Sequence, residues 1–139
     1  MSTKLRRVYR FSASHLYRRP EWDEEKNRAR FGKCALEPGH GHNYRLTVWV
    51  AGVIDPETGF IVDLVALDGR VRERILEPLD HHHLNAAIPE FAPGELIPTS
   101  ENLVSWIRHR LVDPLPGGAR IVGLSLAEDD DLAAEWFAE

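Results

Sequence analysis

The sequence contains one cysteine, no long apolar run and no excess of basic residues. Because the lone Cys34 cannot form a disulfide within the chain, we expect a reducing, cytoplasmic compartment. No apolar run approaches the roughly 18 residues that span a bilayer, and no apolar segment follows the charged start MSTKLRRVYRF. The formal net charge is −5. We therefore expect neither a membrane nor a nucleic acid as a partner.

The composition is otherwise that of a folded globular protein. Of the 139 residues, 43% are hydrophobic and 28% are charged, which suits a buried core and argues against a disordered chain. No linker, low-complexity tract or repeat interrupts the sequence, so residues 1–139 are expected to form one domain. The seven histidines are the unusual feature, because they are clustered rather than scattered.

Apolar and polar residues alternate in several segments, as is typical of half-buried strands. Ala13 and His15 share a face in the first segment, and His42 and Tyr44 share a face in the second. Residues 132–137 fit either a final strand or a short helix. The alternation predicts strands over residues 4–15, 42–50, 60–62 (after a turn at 55–59) and 120–128.

Helical spacing of apolar residues predicts two helices. The first begins at the N-cap Asp63 and ends at Pro78, and the second begins at Thr99 and stops before Pro114. The charged residues 16–41, with their prolines and glycines, predict a long functional loop. Strands at both ends of a helical middle predict an α+β fold, in which helices cover one face of an antiparallel sheet.

Three histidines lie at the ends of the first two predicted strands. His40 and His42 are two residues apart, so their side chains point the same way from a strand, and His15 ends the neighbouring strand. Three neutral imidazoles that leave one position open are typical of catalytic zinc sites. The alternative is a polar turn at His40-Gly41-His42 and a hydrogen-bonded core histidine at position 15.

Cys34 precedes these histidines in the charged loop and follows Lys33. A nearby cation lowers the pKa of a thiol, which would make a thiolate base or nucleophile available. Cys34 is alternatively a fourth zinc ligand that closes the site, or a small buried apolar residue.

Asp80 and His81 follow the first helix. A carboxylate beside an imidazole orients it and raises its basicity, as acid–base catalysis requires. The alternative is a solvated loop at a helix exit, where a histidine suits the helix dipole.

Two further segments carry polar groups that suit a ligand. Thr99 and Glu101 begin the second helix, where capping explains Thr99 and the free N–H groups offer a polar binding site. Glu128 continues the face expected to contain Val122, Leu124 and Leu126, so it either ends a strand inside a pocket or is a solvated carboxylate.

Several motifs occur together in one order along nearly the whole chain. They are Phe11-Ser-Ala-Ser-His15, Phe31-Gly-Lys-Cys34, His40-Gly-His-Asn-Tyr44, Gly59-Phe-Ile-Val-Asp63-Leu, Leu79-Asp-His81 with Leu84-Asn85, and Pro98-Thr-Ser-Glu-Asn102. In this combination the sequence resembles the 6-pyruvoyltetrahydropterin synthase family, which includes the 6-carboxytetrahydropterin synthases of the queuosine pathway.

The resemblance implies a tunnelling fold with a four-stranded antiparallel sheet and two helices on one face. It also implies homohexamers built of two trimers, with sites between subunits. His15, His40 and His42 would bind zinc, and Cys34 would be the catalytic base. Asp80 and His81 would complete a proton relay from a neighbouring subunit.

The resemblance further implies a substrate, 7,8-dihydroneopterin triphosphate. Glu128 would anchor the pterin ring with help from the region of Thr99 and Glu101. Asp129 stands where the family pattern has threonine, which changes the detail of the pterin pocket. Candidates for binding the triphosphate are Arg18, Arg28, Arg30 and Lys33.

Three other functions compete with a 6-pyruvoyltetrahydropterin synthase. Five residues between Cys34 and His40 resemble the pyruvoyl-forming group, whereas carboxypterin-forming relatives often have a shorter gap and also release acetaldehyde. A zinc hydrolase would use water on the same histidines, with a carboxylate base and no need for Cys34. A pterin-binding protein without catalysis is the third alternative.

Overall fold

A mixed β-sheet forms the centre of the computed structural model, which describes residues 3–139. Met1 and Ser2, which belong to the charged N-terminal segment and to the expected domain, lie outside the described residues. The strands of the described range are β1 (Lys4–His15), β2 (His40–Ala51), β3 (His82–His83), β4 (Arg120–Ala127) and β5 (Ala133–Phe137).

The strands follow the spatial order β3–β1–β2–β4–β5. The four longer strands pair in antiparallel fashion, whereas β3 pairs in parallel with Ala13 and Ser14 of β1. The expected four-stranded antiparallel sheet is therefore present with one short parallel strand added. The segment at 132–137, which fitted strand or helix, forms the edge strand β5.

The two predicted helices are both present. The helices of the described range are α1 (Glu24–Phe31), α2 (Leu64–Val71), α3 (Glu77–Leu79), α4 (Leu84–Ala87) and α5 (Ser100–Leu111). A π-helical turn, Arg72–Leu76, joins α2 to α3, so the first predicted helix continues past Pro78 to Leu79. Asp63 and Thr99 cap α2 and α5 as predicted. Within residues 3–139, none of the helices has the length and apolar character needed to cross a membrane.

The loop predicted over residues 16–41 contains the helix α1. Its N-cap Asp23 accepts a hydrogen bond from the Lys26 amide at 2.8 Å, and acidic residues occupy its first turn and basic residues its last. Its one buried residue is Asn27. Since an apolar stripe is missing, the helical spacing that predicted α2 and α5 gives no signal here.

The core lies between the helices and one face of the sheet. Leu46 and Val48 of β2 are fully buried, as are Leu124 and Leu126, their partners on β4. Leu67 of α2 and Ile107 of α5 pack into the same cluster. The sheet face and the two helix stripes therefore form one continuous apolar interior, which excludes water from the strand backbones.

Two details of the sheet differ from the predictions. A register shift between Trp49 and Val50 of β2 inserts Val122 as an extra residue, so Ile121 faces the core instead. The expected shared face of Val122 with Leu124 and Leu126 is therefore wrong. Residues 60–62, all within the described range, form no strand and lie between the turn and the helix α2.

Candidate metal and catalytic site

Three histidines converge at one end of β1 and β2. The antiparallel register pairs His15 with His40 and Ala13 with His42, which places all three imidazoles on the core face. Each of the three ring centroids lies 4.9 Å from the other two. The cluster predicted from alternation thus forms by strand pairing, and its members come from both strands.

The spacing and protonation of these imidazoles suit a metal ion. Nε2 of His15 lies 3.4 Å from Nε2 of His40. Two nitrogens bound tetrahedrally to one zinc ion are separated by about 3.4 Å, because each Zn–N bond is roughly 2.0–2.1 Å. Burial, and then the neighbouring His42 and His40, lower the pKa of His15 to about 3. The ring is therefore neutral at physiological pH and has a lone pair to donate.

Cys34 lies beside this cluster on a 3₁₀ turn, Gly32–Ala35. The Tyr17 amide donates a hydrogen bond to the Cys34 carbonyl at 2.8 Å, and the thiol Sγ lies 3.8 Å from Nε2 of His40. The sequence predicts that Lys33 lowers the pKa of this thiol. Instead, burial raises that pKa, and the Glu128 carboxylate raises it further.

Glu128 directly follows β4 and points at His42. Its Oε2 lies 3.6 Å from Nε2 of His42, and its side chain is only 12% exposed. That oxygen is buried and accepts no hydrogen bond within the described residues. An unpaired carboxylate oxygen inside a protein is costly, so this position suits a group that donates to it.

The donor atoms form two overlapping sets among the described residues. One set comprises His15, Cys34 and His40, and the other comprises His15, His42 and Glu128; within each set the ligand atoms lie within 4.8 Å of one another. Both sets contain His15. These side chains can hold a metal ion, and the proximity of Cys34 leaves its two expected roles, base or fourth ligand, both open.

Asp80 and His81 form a pair on the outer side of β1. Nδ1 of His81 lies 3.0 Å from Oδ1 of Asp80. The same carboxylate oxygen accepts a hydrogen bond from the Ser12 amide, which lowers the pKa of Asp80, and the contact with His81 lowers it further. His81 has a φ of 61° and a side chain 82% exposed. Within one chain, this pair and Cys34 line different clefts.

The start of α5 supplies a cap and one exposed carboxylate. Thr99 Oγ1 accepts from the Asn102 amide at 3.1 Å, as the capping explanation predicts. Glu101 is exposed in the first turn. Burial raises the pKa of Tyr17, and the negative charges of Glu128, Cys34 and Glu101 raise it further. Glu101 therefore lies close enough to the site to act on one of its aromatic residues.

The four basic residues expected to bind triphosphate differ in availability. Arg18 forms a salt bridge with Glu24 and donates to the Ala35 carbonyl, so its guanidinium already has partners. The other three are exposed on or just after α1: Arg28, Arg30 and Lys33. The structure thus leaves these three better placed than Arg18 for an anionic ligand.

Sequence reasoning missed three residues that shape this site. The Tyr17 ring lies 4.5 Å from the His15 ring, and the Tyr44 hydroxyl lies 3.0 Å from Nδ1 of His15. Gly39 lies so close to β1 that a Cβ there would meet the His15 carbonyl oxygen at 2.2 Å. The alternation already placed Tyr44 on the face of His42, but no local pattern reveals the contacts of Gly39.

Known proteins resemble this chain over nearly its whole length. A family model described as 6-pyruvoyl tetrahydropterin synthase matches residues 4–139. The chain belongs to the 6-pyruvoyl tetrahydropterin synthase family. The 6-pyruvoyl tetrahydrobiopterin synthase of Homo sapiens is 42% identical over 108 residues, which are 78% of this chain and 73% of the human protein.

Two further members extend the comparison. The dihydroneopterin monophosphate aldolase of Pyrococcus furiosus is 31% identical over 134 residues, 95% of this chain and 96% of that protein. The structure of Caenorhabditis elegans 6-pyruvoyl tetrahydropterin synthase has a TM-score of 0.88 at 26% identity and covers 100% of this chain and 97% of its own. The family and the tunnelling fold expected from the sequence are both confirmed.

Proposed function

We propose that this chain is a zinc-dependent lyase that converts 7,8-dihydroneopterin triphosphate into 6-pyruvoyltetrahydropterin and triphosphate. The names of its relatives support a dihydroneopterin substrate. The observation that carries the proposal is the convergence of His15, His40 and His42 next to the Cys34 thiol, 3.8 Å from one of these imidazoles. A cluster of neutral imidazoles beside a nucleophilic or basic side chain is typical of a catalytic metal site.

His15, His40 and His42 would bind the zinc ion. When bound, such an ion polarises substrate oxygens and makes the adjacent C–H bond more acidic. The spacing of the two Nε2 atoms and the neutral state of His15 support this ligand set.

Cys34 would act as the base on the substrate side chain. Its Sγ takes the proton of a carbon-bound hydrogen, and the electron pair of that bond moves toward the pterin ring. Partial burial of the thiol beside the imidazole cluster supports this role, because it holds the base at one position.

Asp80 and His81 would return protons. If Asp80 accepts the hydrogen of His81 Nδ1, the Nε2 atom of His81 is left to exchange a proton with the substrate. The exposure of His81, and its separation from the cleft of Cys34 within one chain, support a relay donated by a neighbouring subunit.

Glu128 would anchor the pterin ring through charge-assisted hydrogen bonds from its amino and ring N–H groups. The buried, unpaired Oε2 atom supports this assignment. Thr99 and Glu101 would assist at the rim, and the exposed Arg28, Arg30 and Lys33 would bind the triphosphate before it is eliminated. The reaction needs no external oxidant, because oxidation of the side-chain carbons is balanced by reduction of the dihydropterin ring.

A homo-oligomer, proposed as a hexamer of two trimers, would complete the site. The edge strands β3 and β5 each pair on one side only within the described residues, and joining sheets between subunits would cover such edges. Mixing inactive Cys34→Ala and His81→Ala subunits should restore activity, since some mixed sites receive both native residues. A fully active monomer in sedimentation would contradict shared sites.

Two other reactions remain candidates for the same site. The carboxytetrahydropterin synthase reaction of the queuosine pathway starts from the same substrate and also releases acetaldehyde. A zinc hydrolase needs a carboxylate near the metal, and Glu128 at 3.6 Å from His42 supplies one. The hydrolase would depend on Glu128 rather than on Cys34.

The deciding experiment is mass spectrometry of the products formed from 7,8-dihydroneopterin triphosphate. Wild type should yield 6-pyruvoyltetrahydropterin, and acetaldehyde would indicate the carboxypterin reaction instead. Cys34→Ala should retain zinc by elemental analysis and lose about 10²–10⁴ in turnover. Glu128→Gln should raise KM more than it lowers kcat.

The same variants separate the lyase from its competitors. Turnover retained in Cys34→Ala but lost in Glu128→Gln would refute the lyase and favour a hydrolase. Loss of zinc in Cys34→Ala would make Cys34 a ligand, and the open position would then be withdrawn. An exposed valine, Val53→Ala, is the control for the effect of substitution itself.

A further inference from the structure

Tyr44 is buried directly behind one of the proposed metal ligands. It lies on β2, two residues after His42, and only 1% of its surface is exposed. Its hydroxyl oxygen is 3.0 Å from Nδ1 of His15, which is fully buried. This is a hydrogen bond between two buried groups, so it cannot be exchanged readily for one to water.

The ring of Tyr44 is fixed by its partner across the strands. The register pairs Phe11 with Tyr44, and their rings stack at 4.9 Å with an interplanar angle of 12°. Stacking and burial leave the hydroxyl little freedom to move. The Tyr44 oxygen is therefore a fixed reference point for the orientation of the His15 ring.

The hydrogen bond selects a tautomer. A neutral imidazole carries one N–H, and a ring that donates through Nδ1 has its lone pair on Nε2. In this structure Nε2 of His15 faces Nε2 of His40 at 3.4 Å, inside the donor cluster. A ring with the hydrogen on Nε2 would instead point that hydrogen into the cluster and could not bind a metal there.

We propose that Tyr44 is a positioning residue, whose oxygen accepts the Nδ1 hydrogen of His15 and so directs the Nε2 lone pair at the metal; this rests on the proposed zinc site. Partners of this kind orient a ligand and raise its basicity, and their loss typically lowers metal affinity about 10–100-fold. Tyr44 thus acts on the metal through His15 and needs no contact with substrate.

The test compares Tyr44→Phe with Tyr17→Phe. Both tyrosines contact the His15 ring, but within residues 3–139 only the Tyr44 hydroxyl bonds to it. Zinc affinity is measured by competition with a chelator, and the absorption spectrum of the cobalt-substituted protein reports ligand geometry. Tyr44→Phe should bind zinc about 10–100-fold more weakly and shift the cobalt bands. Tyr17→Phe should change neither.

A second measurement avoids variants. Heteronuclear NMR of the imidazole nitrogens in zinc-free wild type should show the hydrogen of His15 on Nδ1. A hydrogen on Nε2, or equal zinc affinities of wild type and Tyr44→Phe, would overturn this inference and leave the proposed zinc site standing. If wild type itself binds no zinc, the proposed site fails and the role of Tyr44 fails with it.

Discussion

Replacing Gly39 by alanine should disrupt the metal site without touching any proposed ligand. Gly39 precedes His40 and has a φ of +109°, a conformation that side-chain-bearing residues rarely adopt. A Cβ built there lies 2.2 Å from the carbonyl oxygen of His15 and 2.9 Å from its carbonyl carbon. Both are backbone atoms, so no side-chain rotation relieves the contact.

The expected effect follows from these distances. The Cβ–oxygen separation must grow from 2.2 Å to beyond 3.0 Å, which pushes apart the ends of β1 and β2 that carry His15 and His40. A displacement of about 1 Å in a catalytic arrangement costs on the order of 10²-fold in rate. The strained backbone adds about 1–3 kcal/mol to the free energy of folding.

The matched control is Gly94→Ala. Gly94 also has a positive φ, +89°, but a Cβ there meets nothing within 4 Å. Both variants should lose stability in urea unfolding because of φ, but only Gly39→Ala should also lose zinc affinity and turnover. Equal zinc affinity and turnover in the two variants would refute the reasoning, because the close approach to His15 would then have no consequence.

Two further predictions concern stability. The hydrogen bond from Arg7 and a second from the Tyr9 hydroxyl lower the pKa of Asp68 below its ordinary 3.8, so the stabilisation is complete above that value and is lost as the pH falls through the lowered pKa. Asp68→Asn should therefore cost about 1 kcal/mol at pH 7, with the gap from wild type closing in acid, as urea unfolding at several pH values would show; a gap independent of pH would contradict this. Leu67→Ala removes a fully buried side chain and should cost about 2–5 kcal/mol, whereas Val65→Ala, 82% exposed, should change stability by less than about 0.5 kcal/mol. Thermal denaturation that ranks the two in the opposite order would contradict the assignment of the core face of α2.

Much of the site was predictable because its first ingredients are periodic. Alternation along a strand places His40 and His42 on one face whatever the rest of the chain does. The same alternation places Tyr44 there. The position of His15 at a strand end required only that the first two strands pair, and the register of β1 with β2 supplies the contact.

The elements that were missed depend on signals other than periodicity. The helix α1 is stabilised by its cap and by charges at its ends rather than by an apolar stripe. The strand β3 has two residues, too few for any alternation, and exists because β1 offers it an edge. The bulge at Val122 is invisible in the sequence because it arises from pairing with β2, and it reverses the facing of Ile121 and Val122.

The contact between Asp80 and His81 shows most clearly why adjacency in sequence leaves a question that only tertiary structure answers. His81 adopts a φ of 61°, which a residue with a side chain accepts only when its surroundings impose it. Here β1 imposes it: the Ser12 amide donates to Asp80, and the Ser12 carbonyl accepts from the His81 amide at 2.6 Å. The strand that ends in His15 therefore also holds the Asp80–His81 pair at its edge. Any shift of β1 must move the proposed metal ligand and the proposed proton relay together, so the geometry of both depends on one strand.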